Sequence, residues 1–383
     1  MPVTVSITSI SSFSPLGNTG PSVWAQYLTN TPLLRKIPVV GGGIMAGALP
    51  EKLLEQVKSL KQSSAHYRSL DNSVLFAMLA ARRAVLQAGW EANDVFGINI
   101  GSSRGATDLF EKHHSHFLET GKATVQSSPS TTLGNISTWV AQDLKSAGPD
   151  ISHSITCSTA LHAVLNGVAW LRAGMANKFL VGGSEAPLTP FTVAQMQAMK
   201  IYSTSEDAFA CRALDMDKKT STMVLGEGAA IACLEAGYNA KALAVIEGIG
   251  YATETLSHSV SISAEADCMQ KSMRMALGDF RPDEVDVIVM HAPGTVKGDA
   301  GELAAIKSVF GESLPLLTTN KWKIGHTFGA SGLLSLEMAL LMLQNDTFIP
   351  SPFYPQKQTK PLRRILVNAV GFGGNAVSIL IAK

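Results

Sequence analysis

The chain has 383 residues, of which 46% are hydrophobic and 16% charged, with 33 glycines, and this is the composition of a globular protein with a large core. Its 31 basic and 30 acidic residues give a formal net charge of +1, so nothing in the overall charge indicates nucleic acid or an anionic membrane as a partner. The four cysteines lack CxxC spacing and the density of a small secreted scaffold, which argues against disulfides and zinc.

The N-terminal stretch MPVTVSITSISSFSPLGNTG lacks the basic start and the continuous apolar segment of a signal peptide. No apolar run in the chain reaches the roughly 18 residues that a membrane-spanning helix needs. We therefore expect a soluble cytoplasmic protein.

Short β-rich runs alternate with helical patterns along the chain, which predicts an α/β fold around buried strands. In chain order these segments are VTVSIT, a helix near residues 72–88, FGINIGSS, a short β-type run before Cys157, a helix after it, KFLVGG and AAIACLEA.

Two long segments resemble each other. LFAMLAARRAVLQAGWEANDVFGINIGSS and MQKSMRMALGDFRPDEVDVIVMHAPG both consist of a helix, a glycine, a short acidic turn, an apolar strand and a small-residue loop. This similarity suggests two related halves that join near residues 237–242. We assign residues 1–238 to the first half and residues 239–383 to the second.

Cys157 lies where the β-type run meets the amphipathic helix pattern of STALHAVLNGVAWLRAG. Unpaired N–H groups and the helix dipole at a helix N-terminus favour a thiolate, and so a nucleophile. The small residues that follow leave room for a substrate. The same position is equally typical of a buried, inert cysteine.

Two histidines favour the functional interpretation. His291 follows the apolar run VDVIVM, and His326 lies in KIGHTFGASG just before another helical pattern. Each alone is more typical of a structural histidine, but together with Cys157 they make a Cys/His acyl-transfer site conceivable. From its surroundings in the sequence, Lys321 is expected to be a solvated lysine, and the GFGG around Phe372 a turn.

Two other motifs are weak candidates for binding sites. His113 and His116 in EKHHSHF can meet on one helical turn, but no third metal ligand follows at a recognisable spacing. GSSRGATD is rich in small residues but has neither phosphate-loop spacing, so nucleotide binding is not expected.

As a set, the motifs resemble those of the β-ketoacyl-acyl carrier protein synthases, the condensing enzymes of the thiolase fold. The resemblance extends over essentially the whole chain and follows the family's order: TCSTALHA, GGSEAP, LGEGAA, HAPGTVKGD, NKWKIGHTFGASG and VGFGGNA. It implies an α/β fold of five layers, α-β-α-β-α, built from two pseudo-equivalent halves.

The resemblance also implies a role for each site residue. Cys157 carries the acyl chain as a thioester, while His291 and His326 promote decarboxylation of malonyl-carrier protein and stabilise the enolate. The backbone N–H groups of Cys157 and Phe372 hold the thioester oxygen, Phe372 also gates the site, and Lys321 supports the histidines. A Cys-His-His set is typical of elongating synthases, and no metal or other cofactor is expected.

Departures from the family's motifs concern the substrate more than the reaction. Pro293 replaces the first threonine of the HGTST loop, which leaves Thr295 as the candidate to bind the phosphopantetheine arm. Ser335 stands where a glutamate is common, and Glu337 is expected to point elsewhere on the helix. These departures and the short chain suggest a specialised pathway, such as one that makes aryl polyene chains.

The implied partner is an acidic acyl carrier protein, which would dock on a basic surface near the pocket mouth. Arg68 and Lys122 fall near the family's docking positions. The resemblance also implies a dimer, either a homodimer or a heterodimer with a chain-length partner.

Two alternatives remain open. The chain could be a non-catalytic chain-length partner of an active synthase, although such partners generally lose the nucleophile that is present here as Cys157. It could instead be an acyltransferase of the same fold that makes an ester or amide, a reaction that does not require both histidines.

Overall fold

The computed structural model describes residues 3–39, 42–91, 94–133, 135–255 and 262–383, and in them strands alternate with helices as expected for an α/β protein. The strands are β1 Val5–Phe13, β2 Arg35–Val39, β3 Gly42–Ala46, β4 Gly97–Gly101, β5 Asp150–Ile151, β6 Lys178–Glu185, β7 Gly228–Ala236, β8 Ala244–Thr253, β9 Val287–Val289, β10 Leu316–Thr318, β11 Arg364–Gly371 and β12 Asn375–Ala382. The α-helices are α1 Gly20–Tyr27, α2 Glu51–Ser63, α3 Asn72–Ala88, α4 Thr107–Thr120, α5 Ser127–Thr131, α6 Asn135–Leu144, α7 Thr159–Arg172, α8 Pro190–Ala198, α9 Asp267–Leu277, α10 Val296–Phe310, α11 Lys321–Ile324 and α12 Ser331–Asn345. Single turns of 3₁₀ helix lie at Ala65–Tyr67, Pro282–Glu284 and Phe328–Ala330.

The main sheet has the order β10-β9-β11-β12-β8-β1-β7-β6-β4-β5 across the described residues. Outward from the β8–β1 pair in its middle, the two sides have the same pattern of antiparallel and parallel pairings. On one side, β1, β7 and β6 pair antiparallel, and β4 and β5 follow in parallel. On the other, β8, β12 and β11 pair antiparallel, and β9 and β10 follow in parallel. The two sets of five strands meet where β1 and β8 pair, so the sheet consists of two pseudo-equivalent sets.

Helices α7 and α12 pack against each other, and each contacts strands of both sets. The continuous sheet must therefore fold back on itself into two layers with α7 and α12 between them. Helices α3 and α6 cover the outer face of the first set. Helix α9 covers that of the second, and α10 packs on α9 and shares a core cluster with β9 and β10. The result is the expected α-β-α-β-α packing, and the prediction of fold class is confirmed.

The repeated segments of the sequence occupy equivalent places in this arrangement. The first runs from α3 into β4, and the second runs from α9 into β9. Helix α3 has the expected bounds because Asp71 accepts a 2.8 Å hydrogen bond from the Ser73 N–H at its start, and Gly89 ends it with a φ of 68°. Among the described helices, none combines the length and the hydropathy that a membrane span requires.

Candidate active site

Cys157 lies on a tight turn two residues before α7. The expected strand directly before it is wrong, because β5 ends at Ile151 and Thr156 has a φ of +47°, which is incompatible with an extended run. Gly371 packs so closely on this turn that a Cβ would lie 1.8 Å from Thr156 Oγ1 and 3.1 Å from the Cys157 nitrogen. Any larger residue at position 371 would displace the cysteine.

Glu302 on α10 fixes the loop that carries His291. Its carboxylate accepts hydrogen bonds from the backbone N–H groups of His291, at 2.9 Å, and Ala292, at 2.7 Å. Ala292 has a φ of +24°, so the carboxylate holds a strained backbone conformation directly beside the histidine.

His326 is held through its backbone in the segment between α11 and α12. Its N–H donates to the Val224 carbonyl at 2.7 Å, and its carbonyl accepts from the Gly226 N–H at 3.0 Å. These two bonds attach the histidine to the residues that precede β7, so its position depends on both halves of the chain.

The structure brings Cys157, His291 and His326 together from three distant stretches of sequence. The Sγ atom and one ring nitrogen of each histidine all lie within 4.8 Å of one another. The three side chains are 5%, 4% and 2% exposed, respectively. The convergence expected from the sequence is therefore present, at the buried end of a cavity.

This environment disfavours charge on all three groups. Burial raises the pKa of the Cys157 thiol to about 12, and the negative charge of Glu185 acts in the same direction. Burial also lowers the pKa of His326 to about 3 and that of His291 well below its ordinary value. Burial therefore opposes the thiolate that the position before a helix N-terminus is expected to favour.

A cavity of about 460 Å³ leads to these side chains. Phe372 and Thr295, both expected at the site, are part of its wall. Thr295 also caps α10, because its Oγ1 accepts a 3.1 Å hydrogen bond from the Gly298 N–H. The remaining wall residues are Met199, Lys200, Ile201, Lys219, Ser221, Met223, Ile262, Pro293, Val296, Lys297, Gly298, Phe328, Val370 and Gly371.

Two family profiles match most of the chain. Residues 3–240 match the profile described as "Beta-ketoacyl synthase, N-terminal domain", and residues 243–354 match "Beta-ketoacyl synthase, C-terminal domain". The chain belongs to the β-ketoacyl synthase family.

Curated relatives of this synthase cover nearly its whole length. It is 26% identical to "3-oxoacyl-[acyl-carrier-protein] synthase 2" of Staphylococcus aureus, over 100% of this chain and 98% of that protein. It is 27% identical to the protein of the same name from Coxiella burnetii, over 99% of this chain and 98% of that protein. The synthase is accordingly a condensing acyltransferase of that family, as the sequence predicts.

Solved structures show the same fold at low identity. "The ishigamide ketosynthase/chain length factor" superposes with a TM-score of 0.88 at 21% identity, over 100% of both chains. A β-ketoacyl synthase from Burkholderia phymatum gives 0.86 at 22% identity, also over 100% of both chains. A ketosynthase in complex with its chain length factor from Xenorhabdus doucetiae gives 0.81 at 19% identity, over 99% of this chain and 98% of that one.

Lys321 is 1% exposed in the synthase, so the expectation of a solvated lysine is wrong. Its Nζ lies 3.5 Å from Ser335 Oγ, and burial lowers its pKa to about 8. Glu337 is buried beside Ser12 rather than beside Lys321, in agreement with the expectation that it points elsewhere. The serine thus stands where a glutamate would have given the lysine a charged partner.

The basic residues that line the cavity were not found from the sequence. Lys200, Lys219 and Lys297 are exposed and form part of the cavity wall. Arg68 and Lys122 are also exposed but are not part of that wall. Lys200 and Lys219 lie on separate loops and Lys297 lies at the start of α10, and the three share no motif, so only the fold brings them to one opening.

Buried carboxylates are a second group that the sequence analysis did not assign. Glu302 holds His291, as described above, and Asp299 holds the same loop by accepting from the Gly294 N–H at 2.9 Å and from Lys218 Nζ at 2.7 Å. Glu185 Oε1 accepts from the backbone N–H groups of Ser103 and Gly329. Glu185 lies in the motif GGSEAP, and the sign of its structural role in the sequence is a single acidic residue within a run of small residues.

The described residues contain one group of three side chains that could hold a metal ion, and it is Cys157 with His291 and His326. His113 instead lies 3.1 Å from Thr124 Oγ1, and His116 lies near the Thr120 hydroxyl. The prediction that the synthase uses no metal stays a prediction, and it is tested below.

Proposed function

We propose that this synthase loads an acyl chain from an acyl carrier protein onto Cys157 and extends it by two carbons from malonyl-carrier protein. The observation that carries the proposal is the meeting of one thiol and two neutral imidazoles, all within 4.8 Å, at the buried end of a cavity. We also propose that residues 1–238 form the half with the nucleophile and residues 239–383 the half with the histidines.

Loading exchanges one thioester for another. The Cys157 sulfur bonds to the acyl carbon, the bond to the pantetheine sulfur breaks, and the pantetheine thiol leaves with the cysteine's proton. Because the pKa of Cys157 is raised to about 12, the proton leaves the thiol as the S–C bond forms rather than beforehand. The backbone N–H groups of Cys157 and Phe372 stabilise the oxyanion by ~3 kcal/mol for each donor.

Extension begins when the malonyl thioester loses CO₂ and leaves an enolate. His291 and His326, both neutral because burial lowers their pKa values, donate N–H hydrogen bonds to the enolate oxygen. The enolate carbon bonds to the acyl carbon, the C–S bond breaks, and Cys157 takes up one proton to become a thiol again. Lys321 adds positive charge near the developing negative charge.

The carrier protein is the proposed partner at the cavity mouth, and Thr295 is proposed to bind its pantetheine arm inside. Lys200, Lys219 and Lys297 offer three exposed positive charges around the opening. Because carrier proteins are acidic and their arm begins with a phosphate, these lysines are proposed as docking residues in addition to Arg68 and Lys122.

A dimer is proposed because α4 has no buried side chain in the protomer. Phe117 and Leu118 on this helix are 48% and 70% exposed, and Val125 after it is 89% exposed. An apolar surface of this kind is typical of a protein interface. A second synthase-fold chain, identical or a chain-length partner, would cover it, and light scattering of the purified chain distinguishes a homodimer from a monomer that awaits its partner.

The proposed function is tested by incubating the purified synthase with acyl- and malonyl-carrier protein and weighing the carrier protein products. A product two carbons longer than the starting acyl chain supports the condensing enzyme. Loading without extension supports the ester- or amide-forming acyltransferase, and neither loading nor extension supports the non-catalytic chain-length partner. Product formation after dialysis against a chelator tests whether a metal is needed, and we expect no loss.

A further inference from the structure

A second cavity of about 170 Å³ lies beside the first. It is more polar than a channel for a saturated hydrocarbon chain should be, since five of its eight wall residues have polar side chains. The eight are Arg104, Ala106, Thr107, Phe110, Thr131, Phe191, Thr192 and Gln195.

Arg104 stands between the two cavities. Its guanidinium carbon lies 5.0 Å from the centre of the Phe328 ring, and Phe328 is part of the wall of the first cavity. The Phe328 ring in turn lies 5.5 Å from the ring of His326, measured between centroids. The guanidinium and the His326 ring therefore both lie next to the Phe328 ring.

The backbone around Arg104 is fixed to the segment that follows His326 by one buried carboxylate. Glu185 Oε1 accepts from the N–H of Ser103, the neighbour of Arg104, and from the N–H of Gly329, the neighbour of Phe328. Glu185 is fully buried, so these bonds hold the two loops together at this point. The position of the guanidinium is thus a consequence of the fold.

Most N–H donors of Arg104 have no hydrogen-bond partner among the residues that the structure describes. Nη1 donates to Gln195 Oε1 at 2.9 Å, whereas the guanidinium has five N–H donors. Among the ion pairs of the described residues, none involves Arg104. An alkyl chain beside it would desolvate these donors without replacing their hydrogen bonds, whereas an oxygen acceptor would pair with them.

We propose that Arg104 is a specificity-determining residue, and that the acyl chain carried on Cys157 reaches past Phe328 and presents a keto or carboxylate oxygen to the guanidinium. This proposal rests on the proposed function, because it names the class of acyl chain that the same site accepts. The synthase then favours chains oxygenated beyond the thioester over saturated alkyl chains of equal length.

The test measures the rate of acyl transfer to Cys157 from three carrier-protein thioesters of equal length: hexanoyl, 5-oxohexanoyl and adipoyl. We expect the wild type to load at least one oxygenated chain about 10-fold faster than hexanoyl, the gain of roughly 1.4 kcal/mol from one added hydrogen bond to a charged group. The oxo and carboxylate arms show which oxygen is recognised. Arg104→Met should reverse the preference toward hexanoyl.

Arg212→Met is the matched control, because Arg212 also stacks on a phenylalanine, Phe353, at 4.9 Å, but is part of neither cavity wall. It should leave the ratio of rates unchanged. A ratio near one in the wild type, or the same ratio in Arg104→Met as in the wild type, overturns the role of Arg104 while leaving the proposed function intact. If none of the three chains reaches Cys157, the proposed function fails, and this inference fails with it.

Discussion

The imidazole rings of His291 and His326 meet edge to face, with centroids 5.1 Å apart and planes at 86°. Neither Nδ1 atom has a hydrogen-bond partner among the described residues. The pKa of His291 is lowered first by burial and then by His326 and Lys321, so protonation of either ring disfavours protonation of the other. The pair is therefore suited to act as two neutral hydrogen-bond donors to one substrate oxygen.

Replacing His291 by alanine should separate loading from extension. Loading uses Cys157 and the oxyanion donors, so acyl-Cys157 should still form at a rate close to that of the wild type. Decarboxylative extension should fall by about 10²- to 10⁴-fold, the usual contribution of a positioned acid or base group. Release of labelled CO₂ from malonyl-carrier protein measures this step, and undiminished release would remove His291 from its proposed role.

Glu302→Gln should impair extension through the position of His291. Glutamine offers one acceptor oxygen to two N–H donors and directs its own NH₂ group at the other donor. A shift of the loop by about 1 Å can cost about 10²-fold in rate, so kcat for extension should fall while acyl loading persists. Glu247→Gln, which removes a carboxylate that pairs with Arg364, is the control and should leave kcat unchanged. Equal effects of the two variants on kcat would argue against positioning.

Lys321→Met should stabilise the fold at neutral pH, with an effect that depends on pH. The folded-state pKa of Lys321 is about 8 against an ordinary 10.5, so below about pH 8 the buried charge costs roughly 3 kcal/mol. Between the two values the folded protein binds fewer protons than the unfolded chain, and wild-type stability rises with pH relative to the variant. Urea unfolding should show that the free energy of unfolding of the variant exceeds that of the wild type by about 2 kcal/mol less near pH 9.5 than near pH 7.

Lys323→Met is the matched control for this measurement. Burial also lowers the pKa of Lys323 to about 8, so the two variants should share the dependence on pH. They should differ in sign near pH 7, because Lys323 Nζ donates to the Thr29 carbonyl at 2.7 Å and to the Thr31 carbonyl at 2.9 Å. Its removal leaves these carbonyls unpaired and should lower stability near pH 7. A stability advantage of Lys321→Met that does not change with pH would show that its charge carries no such cost.

Reversing the charges at the cavity mouth should weaken the use of carrier-protein substrates. Glutamate at positions 200, 219 and 297 should raise KM for acyl-carrier protein and reduce its dependence on salt, since attraction between exposed charges is screened by ions. The rate with a small acyl thioester that lacks the carrier protein should not change. Glutamate at Arg68 and Lys122 tests the docking positions expected from the sequence, and a larger rise in KM there would show that those residues dominate docking.

The sequence predicted the parts of this protein that depend on pattern. Helix α3 and the two related segments follow from periodicity, whereas the convergence of Cys157 with two histidines follows from the resemblance to the family. The state of the thiol did not follow, because its pKa depends on burial by residues far away in the chain. Lys321 was expected to be exposed for the same reason, because its burial also depends on distant residues. The strand expected before Cys157 is absent because the backbone turns there, and nothing in the residues SIT indicates the positive φ of Thr156.

The central claim is that Cys157 carries the acyl group, and mass analysis of the intact protein after incubation with acyl-carrier protein tests it most directly. Wild type and the control Cys233→Ala, which removes a buried strand thiol, should each gain the mass of one acyl group, mapped to the peptide with Cys157. Cys157→Ala should gain none. An equal gain in Cys157→Ala, or an acyl group mapped to another residue in the wild type, would contradict the account.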